Sequence, residues 1–336
     1  MYTDEDLSTA AEQGIFNPDS VQQFRHFIAQ RNNTNLIDEE NFRLISSFND
    51  VFVVIASCLL LGSMAWLGAT VAPWLGAMLF TVGCWCLAEF FVRKRRMALP
   101  AIGLTLSFLV GAFALPITFT EHLHTDLSEG TLMLSGLLTL IAARVHWLRF
   151  KVPITVALGS AALAFACIAA VLSFSGINTR LIFSLIFVAG LTLFGFAMYW
   201  DASDRKRATR RSDVAFWLHL IAAPMLVHPI FSSLDILAGV DSMAAALGVL
   251  ALYVLLGLIS IAVDRRAIMV SALMYVIIAF SSLINTYGLV SYSLAITGIC
   301  IGGSLLVLSA YWQTSRSKIV SWVPQPIQQH LAEVRI

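Results

Sequence analysis

The sequence predicts an all-α polytopic membrane bundle of about ten transmembrane helices with both termini in the cytoplasm. Three observations carry that expectation. Of 336 residues, 58% are apolar and only 12% charged, roughly half the charge of a soluble domain. The apolar residues come in runs of about 17–25, the length that crosses the hydrocarbon core of a bilayer. Once these runs are threaded through a membrane, 20 of the 21 lysines and arginines fall on one side, and short loops rich in such residues stay cytoplasmic.

Inside lipid every backbone polar group needs a partner, so only helices or a closed barrel can span it. The runs are continuous rather than alternating, which excludes the barrel. Residues 1–50 carry nine acidic residues against Arg25, Arg31 and Arg43 and read as a cytoplasmic helical head, with no cleavable signal peptide expected. Thr3 is placed to cap a short first helix, with Asp4, Glu5 and Asp6 in its first turn and Gly14 past its end. Asn17-Pro18 starts a second helix to about Arg31, whose Val21, Phe24, Phe27 and Ile28 share one face. Asn32–Asn35 reads as a linker. Spans follow at 51–68, 72–92, 100–119, 131–147, 153–173, 181–200, 214–231, 243–262, 267–286 and 291–312, and residues 313–336 form a cytoplasmic tail. The fourth span is the shortest, and its Arg144 and His146 have to reach back to the inner interface.

The cytoplasmic connections hold Arg93–Arg96, then Arg144, Arg149 and Lys151. Arg205, Lys206, Arg207, Arg210 and Arg211 follow, then Arg265-Arg266, with Arg316, Lys318 and Arg335 in the tail. Arg180 is the exception on the outer side. The loop centres recur every 52–59 residues. That period fits either a repeated helical hairpin or any chain of even spans joined by basic inner loops. Trp74, Trp147, Trp200, Trp217, Trp312 and Trp322 fall near the expected interfaces, where amphipathic rings are favoured. Gly298 and Gly302 make a small-residue ridge suited to close helix approach within the chain.

Few residues at membrane depth can carry chemistry, and an ionisable one there needs a partner or water. Glu89 precedes Arg93 by four residues, so it is either an ion pair at the inner interface or a protonatable carboxylate. The seventh span holds His219, Pro224 and His228. Pro224 frees the carbonyl of Leu220 and is expected to bend the helix beside His219, as in helices that line transporter sites. Both histidines are either packing residues or proton carriers. Glu89, His219, Pro224 and His228 are therefore the transport-pathway candidates. In the acidic outer loop His122 and Asp126 would share a helix face if 121–129 is helical, and are weak metal candidates. The alternative is a hydrated loop. Cys58, Cys84, Cys86, Cys167 and Cys300 all lie in apolar runs and are expected as small hydrophobes. No phosphate loop, dinucleotide turn or nucleophile elbow occurs, so no cofactor and no catalytic set is expected. The basic loops interleave with membrane and favour anionic lipid headgroups over nucleic acid.

The stretch Asp4-Glu-Asp-Leu-Ser-Thr-Ala-Ala-Glu12-Gln-Gly14-Ile-Phe-Asn-Pro18, with Asp38–Arg43, Phe48–Asp50 and Glu89–Pro100, resembles uncharacterised bacterial inner-membrane proteins that pair an acidic helical head with many spans. The resemblance implies a bacterial inner-membrane location and brings no activity with it. Ten spans with both ends inside also resemble the drug/metabolite transporter superfamily in architecture, without its inverted five-span halves. A small-solute transporter or permease-like protein is the leading expectation. A non-transporting scaffold or sensor, recruiting a cytoplasmic partner through residues 1–35, is the alternative.

Overall fold

Helix formation follows from the solvent: a chain this apolar closes its backbone hydrogen bonds locally. The computed structural model describes residues 4–31, 48–205, 207, 209–233, 243–286 and 293–333, and all regular structure among them is helical. The chain divides into two compact units, Met1–Arg43 and Leu44–Val334.

In the first unit, α1 spans Asp4–Glu12 and α2 spans Pro18–Arg31. Gly14 adopts φ +73° between them, the left-handed geometry that stops a helix. The Asn17 side-chain oxygen accepts from the Asp19 backbone N–H at 3.2 Å. Val21 is buried, whereas Ile15, Phe16, Phe24 and Phe27 are exposed. The expected Thr3 cap and the Asn32–Asn35 linker lie outside the described residues.

The second unit is a succession of antiparallel hairpins. Its helices are α3 (Phe48–Val71), α4 (Pro73–Ala88) with a π-helical turn over Glu89–Lys94, α5 (Ala98–His122) and α6 (Glu129–Phe150). Then come α7 (Ile154–Ser175), α8 (Thr179–Ser203), α9 (Arg210–Ser233), α10 (Met243–Val263), α11 (Ala267–Thr286) and α12 (Ser293–Ala310). The tail forms α13 (Trp312–Trp322) and α14 (Gln325–Gln328). Local chemistry sets the ends: Pro73 opens α4, Ser128 Oγ accepts from Thr131 N at 3.2 Å, and Asn178 Oδ1 accepts from Arg180 N at 2.9 Å. Each cap satisfies a donor that the first helical turn leaves unpaired.

Among the described residues seven helices, α3 to α9 with the π turn continuing α4, are long and apolar enough to cross a membrane. The fourth expected span, α6, is among them. Bent by 75° at Tyr311, α12 and α13 make an eighth if counted as one span. Over Leu247–Val263 and Ala267–Ser282, α10 and α11 are apolar but shorter.

Among the long helices α9 is the most enclosed, with 56% of its apolar window buried against 17% for α8. Its Val227 and Phe231 pack with Val249 of α10 and Ala272, Tyr275 and Val276 of α11. A second core joins Leu61 of α3, Cys84 of α4, Phe108 of α5 and Ala143 of α6. Four turns, those between α4 and α5, α6 and α7, α8 and α9, and α10 and α11, each hold a non-glycine residue at positive φ. These residues are Arg96, Lys151, Arg207 and Asp264, spaced 55, 56 and 57 apart. Two expectations fail. His146 does not extend outward: it is fully buried, boxed by Trp85, Phe108 and Phe150, with Nδ1 3.3 Å from Thr155 Oγ1. A methyl group added at Gly298 or Gly302 would meet nothing within 4 Å, so no described helix of this chain packs on that ridge.

Candidate functional site

The described membrane unit concentrates its buried charge at one end of the bundle. Asp201 lies in the last turn of α8, directly after Tyr199 and Trp200. Its carboxylate accepts a fork from Arg265, with Nη2 at 2.6 Å and Nε at 3.3 Å, and lies 2.9 Å from His219 Nε2 on α9. Arg265 also donates to Ser212 O and Oγ at 3.1 and 3.2 Å, while Ser260 Oγ donates to the Arg265 carbonyl at 2.6 Å. Asp201, His219, Ser212, Ser260 and Arg265 are all buried. Three pieces of chain thus converge on one carboxylate: α8, α9 and the turn from α10 to α11.

The adjoining turn residue, Asp264, anchors a second set. Its carboxylate accepts from Arg207 Nη1 at 2.9 Å and Trp312 Nε1 at 2.8 Å, with Arg316 Nη1 at 3.5 Å. Arg207 donates further to the Asp264 carbonyl at 3.1 Å. Burial pushes the Arg207 guanidinium below its ordinary range, Arg265 adds repulsion, and Asp264 opposes both. An arginine stays protonated even so, so the cluster holds a permanent cation that the surrounding aspartates must match. The tail is tied in by carbonyls: Arg316 Nη2 donates to Ala332 O at 2.7 Å, and Arg205 Nε to Leu331 O at 2.9 Å.

Taking an ion pair out of water is expensive unless its geometry and extra hydrogen bonds compensate. Asp201–Arg265 meets that condition with a fork and two serine contacts. His219 is the variable member. Its Nε2 engages Asp201, while Nδ1 is buried with no partner among the described residues. One proton gained or lost there changes the charge of the whole set, which is the chemistry that imidazole can supply.

The other expected residues fall in separate places. Glu89 bridges Arg149 Nε at 2.6 Å and Arg93 Nη1 at 3.2 Å, joining the α4 π turn to the end of α6. The side chain stays 30% exposed, and both carboxylate oxygens accept from the two arginines. Pro224 and Pro229 lie inside α9, which runs on as a single helix from Arg210 to Ser233. His228 is hydrogen-bonded through Nδ1 to the Tyr275 hydroxyl and faces the Phe183 ring edge to face at 5.6 Å. Among the described residues Glu89, His219 and His228 therefore share no partner. The His122–Asp126 expectation fails for a local reason: α5 stops at His122, and His124 takes φ +50°. Residues 125–128 are not helical, so the four-residue spacing no longer aligns two ligands. No group of three or more His, Cys, Asp or Glu that could hold a metal occurs among the described residues.

Asp201, Asp264 and the inward role of Arg207, Arg265 and Arg316 escaped the sequence reading. The available signals were an acid at the end of a span beside a basic loop, and Asp264 directly before Arg265. A cavity of about 190 Å³ lies between α10, α11 and α12, and an open groove of about 590 Å³ follows α12. Neither is lined by Glu89, His219, Pro224 or His228. The chain matches no family model, no curated protein and no solved structure.

Proposed function

We propose that this is a ten-span inner-membrane protein of the bacterial type it resembles, with both termini cytoplasmic, working as a small-solute transporter or permease-like protein. The observation that carries the proposal is the Asp201 carboxylate shared between His219 and Arg265, all three buried among the helix ends. Ionisable residues at such a position mark ion or substrate routes by default. Here the shared carboxylate serves as the cytoplasmic gate: it closes α8 and α9 onto the turn after α10 and opens when its partners separate. Pro224 and His228 continue the route along α9 toward the outer side. Glu89, clamped between two arginines, braces the neighbouring hairpins and is left outside the route. The exposed run Arg93–Arg96 suits anionic headgroups, whereas Arg207, Arg265 and Arg316 face inward.

Reconstituted vesicles test the proposal. Uptake of a panel of small solutes, or proton flux, should fall more than tenfold in His219→Ala and Asp201→Asn and stay within about twofold in Glu89→Gln. These ranges correspond to losing or keeping a little over 1 kcal/mol of barrier lowering. Flux that His219→Ala leaves untouched removes the gate from the mechanism.

A scaffold or sensor is favoured by one observation of its own: the head unit exposes Ile15, Phe16 and Phe27. Such apolar residues suit a partner helix or groove. Deleting residues 1–35 separates the two functions. Retained flux supports the transporter, and loss of cellular function with intact insertion supports the scaffold.

A further inference from the structure

Neighbouring arginines at the turn from α10 to α11 differ in exposure. Arg265 is buried and committed to Asp201 and Ser212. Arg266 is exposed, with its Cζ 4.8 Å from the centre of the Trp312 ring. That ring is itself fixed, because its Nε1 donates to Asp264 at 2.8 Å. Arg266 and Trp312 line one end of the 190 Å³ cleft between α10, α11 and α12. The remaining wall is mostly apolar, including Met269, Leu273, Leu305 and Leu308, with Tyr253 and Ser309 as its polar members. Leu273 lies seven residues beyond Arg266, and Leu305 seven before Trp312, so the cleft reaches about 10 Å from the helix ends toward the bundle middle.

We infer that this cleft binds an anionic phospholipid of the cytoplasmic leaflet, with an acyl chain along Met269, Leu273, Leu305 and Leu308 and the phosphate against Arg266. A lipid tail gains little by leaving other tails for leucine side chains. The apolar wall therefore positions the chain, and the cation selects the headgroup. A guanidinium matches a phosphate diester in charge and donor geometry. The inference rests on the cytoplasmic placement of these helix ends proposed above, and on nothing about transport.

The test uses the full-length protein in detergent, titrated with phosphatidylglycerol or phosphatidylcholine of matched chains and read by native mass spectrometry. Wild type should retain the anionic lipid about fivefold better, the effect of one arginine near an anionic headgroup. Arg266→Gln should cut that preference to twofold or less, Arg266→Lys should keep most of it, and Arg180→Gln, an exposed basic residue at the start of α8, should leave it unchanged. Leu308→Trp, which fills the cleft, should lower retention of both lipids. Three results overturn the inference: equal retention of both lipids by wild type, an undiminished preference in Arg266→Gln, or unchanged retention in Leu308→Trp. Inorganic phosphate at millimolar concentration should not displace the lipid; if it does, the site holds a free anion and the inference is wrong. A failed transport assay leaves the inference standing, whereas a tail found outside the cell removes its topological basis.

Discussion

One carboxylate shared by an arginine and a histidine makes Asp201 the residue on which the buried set balances. Replacing it by asparagine keeps the shape but leaves Arg265 as an uncompensated buried charge. Removing one member of a buried pair typically costs about 3–5 kcal/mol. His219→Ala is milder, because Asp201 keeps Arg265, and the loss of one hydrogen bond and some packing comes to about 1–2 kcal/mol. Removing both charges in Asp201→Asn/Arg265→Met should recover much of the single-mutant loss, since an apolar pair needs no compensation. Thermal unfolding in detergent should therefore rank wild type highest, then His219→Ala, then the double variant, with Asp201→Asn lowest. Equal melting of Asp201→Asn and His219→Ala would show that the fork to Arg265 contributes nothing.

At the scale of elements, helix–helix closeness is set by small residues and hairpin closure by left-handed turns. A methyl group on Gly76 of α4 would lie 2.5 Å from the Ala65 carbonyl of α3, and one on Gly68 would lie 2.7 Å from the Gly76 Cα. Backbone cannot swing aside as a side chain can, so Gly76→Ala should destabilise by about 1–3 kcal/mol, read as a lowered unfolding midpoint. Lys151 ends α6 at φ 56°, ψ 34°, a geometry free of penalty only for glycine. Lys151→Gly should be neutral or stabilising by up to about 1 kcal/mol, and Lys151→Val destabilising by about 1–2 kcal/mol, because a branched Cβ fits the left-handed region worst.

These turns also mark where the sequence stops being legible. Each apolar helix announces itself through its solvent, so expected spans 1 to 7 and the helices α3 to α9 coincide within a few residues. The turns carry no such signal: arginine stands at 96 and 207, lysine at 151, where a helix stop is ordinarily glycine or asparagine. The 75° bend at Tyr311 lacks any proline or glycine. The charged set was hidden for a different reason. A basic residue that orients a loop and one that is buried against an aspartate look alike in one dimension, and only the fold separates Arg265 from Arg266. His219 was legible as an unusual residue at depth, but its partner Asp201, eighteen residues earlier, was not.

For the molecule as a whole, the ion pairs constrain the wiring more tightly than hydropathy does. Arg207 bonds Asp264, so the turn from α8 to α9 and the turn from α10 to α11 lie together. Arg205 and Arg316 donate to carbonyls of residues 331–333, which brings the tail to the same end. A chain that leaves this end along α9 and is back at it by Asp264 would, in the proposed topology, return through α10. The same parity holds for α11 and α12 before Trp312. The ten crossings proposed above would satisfy both returns, although α10 and α11 are shorter over their described residues than a full span. Charge agrees: an odd number of crossings after α8 would carry Arg316 and Lys318 across the bilayer, against the bias that keeps such residues inside. Reporter enzymes fused after Gly130 and after Ala208 should accordingly lie in opposite compartments, and a third fused after Trp322 should match the one at 208. A reporter at 322 on the side of Gly130 would mean that α11 and α12 do not both cross, and the bonds from Arg205 and Arg316 to the tail could not form in the membrane.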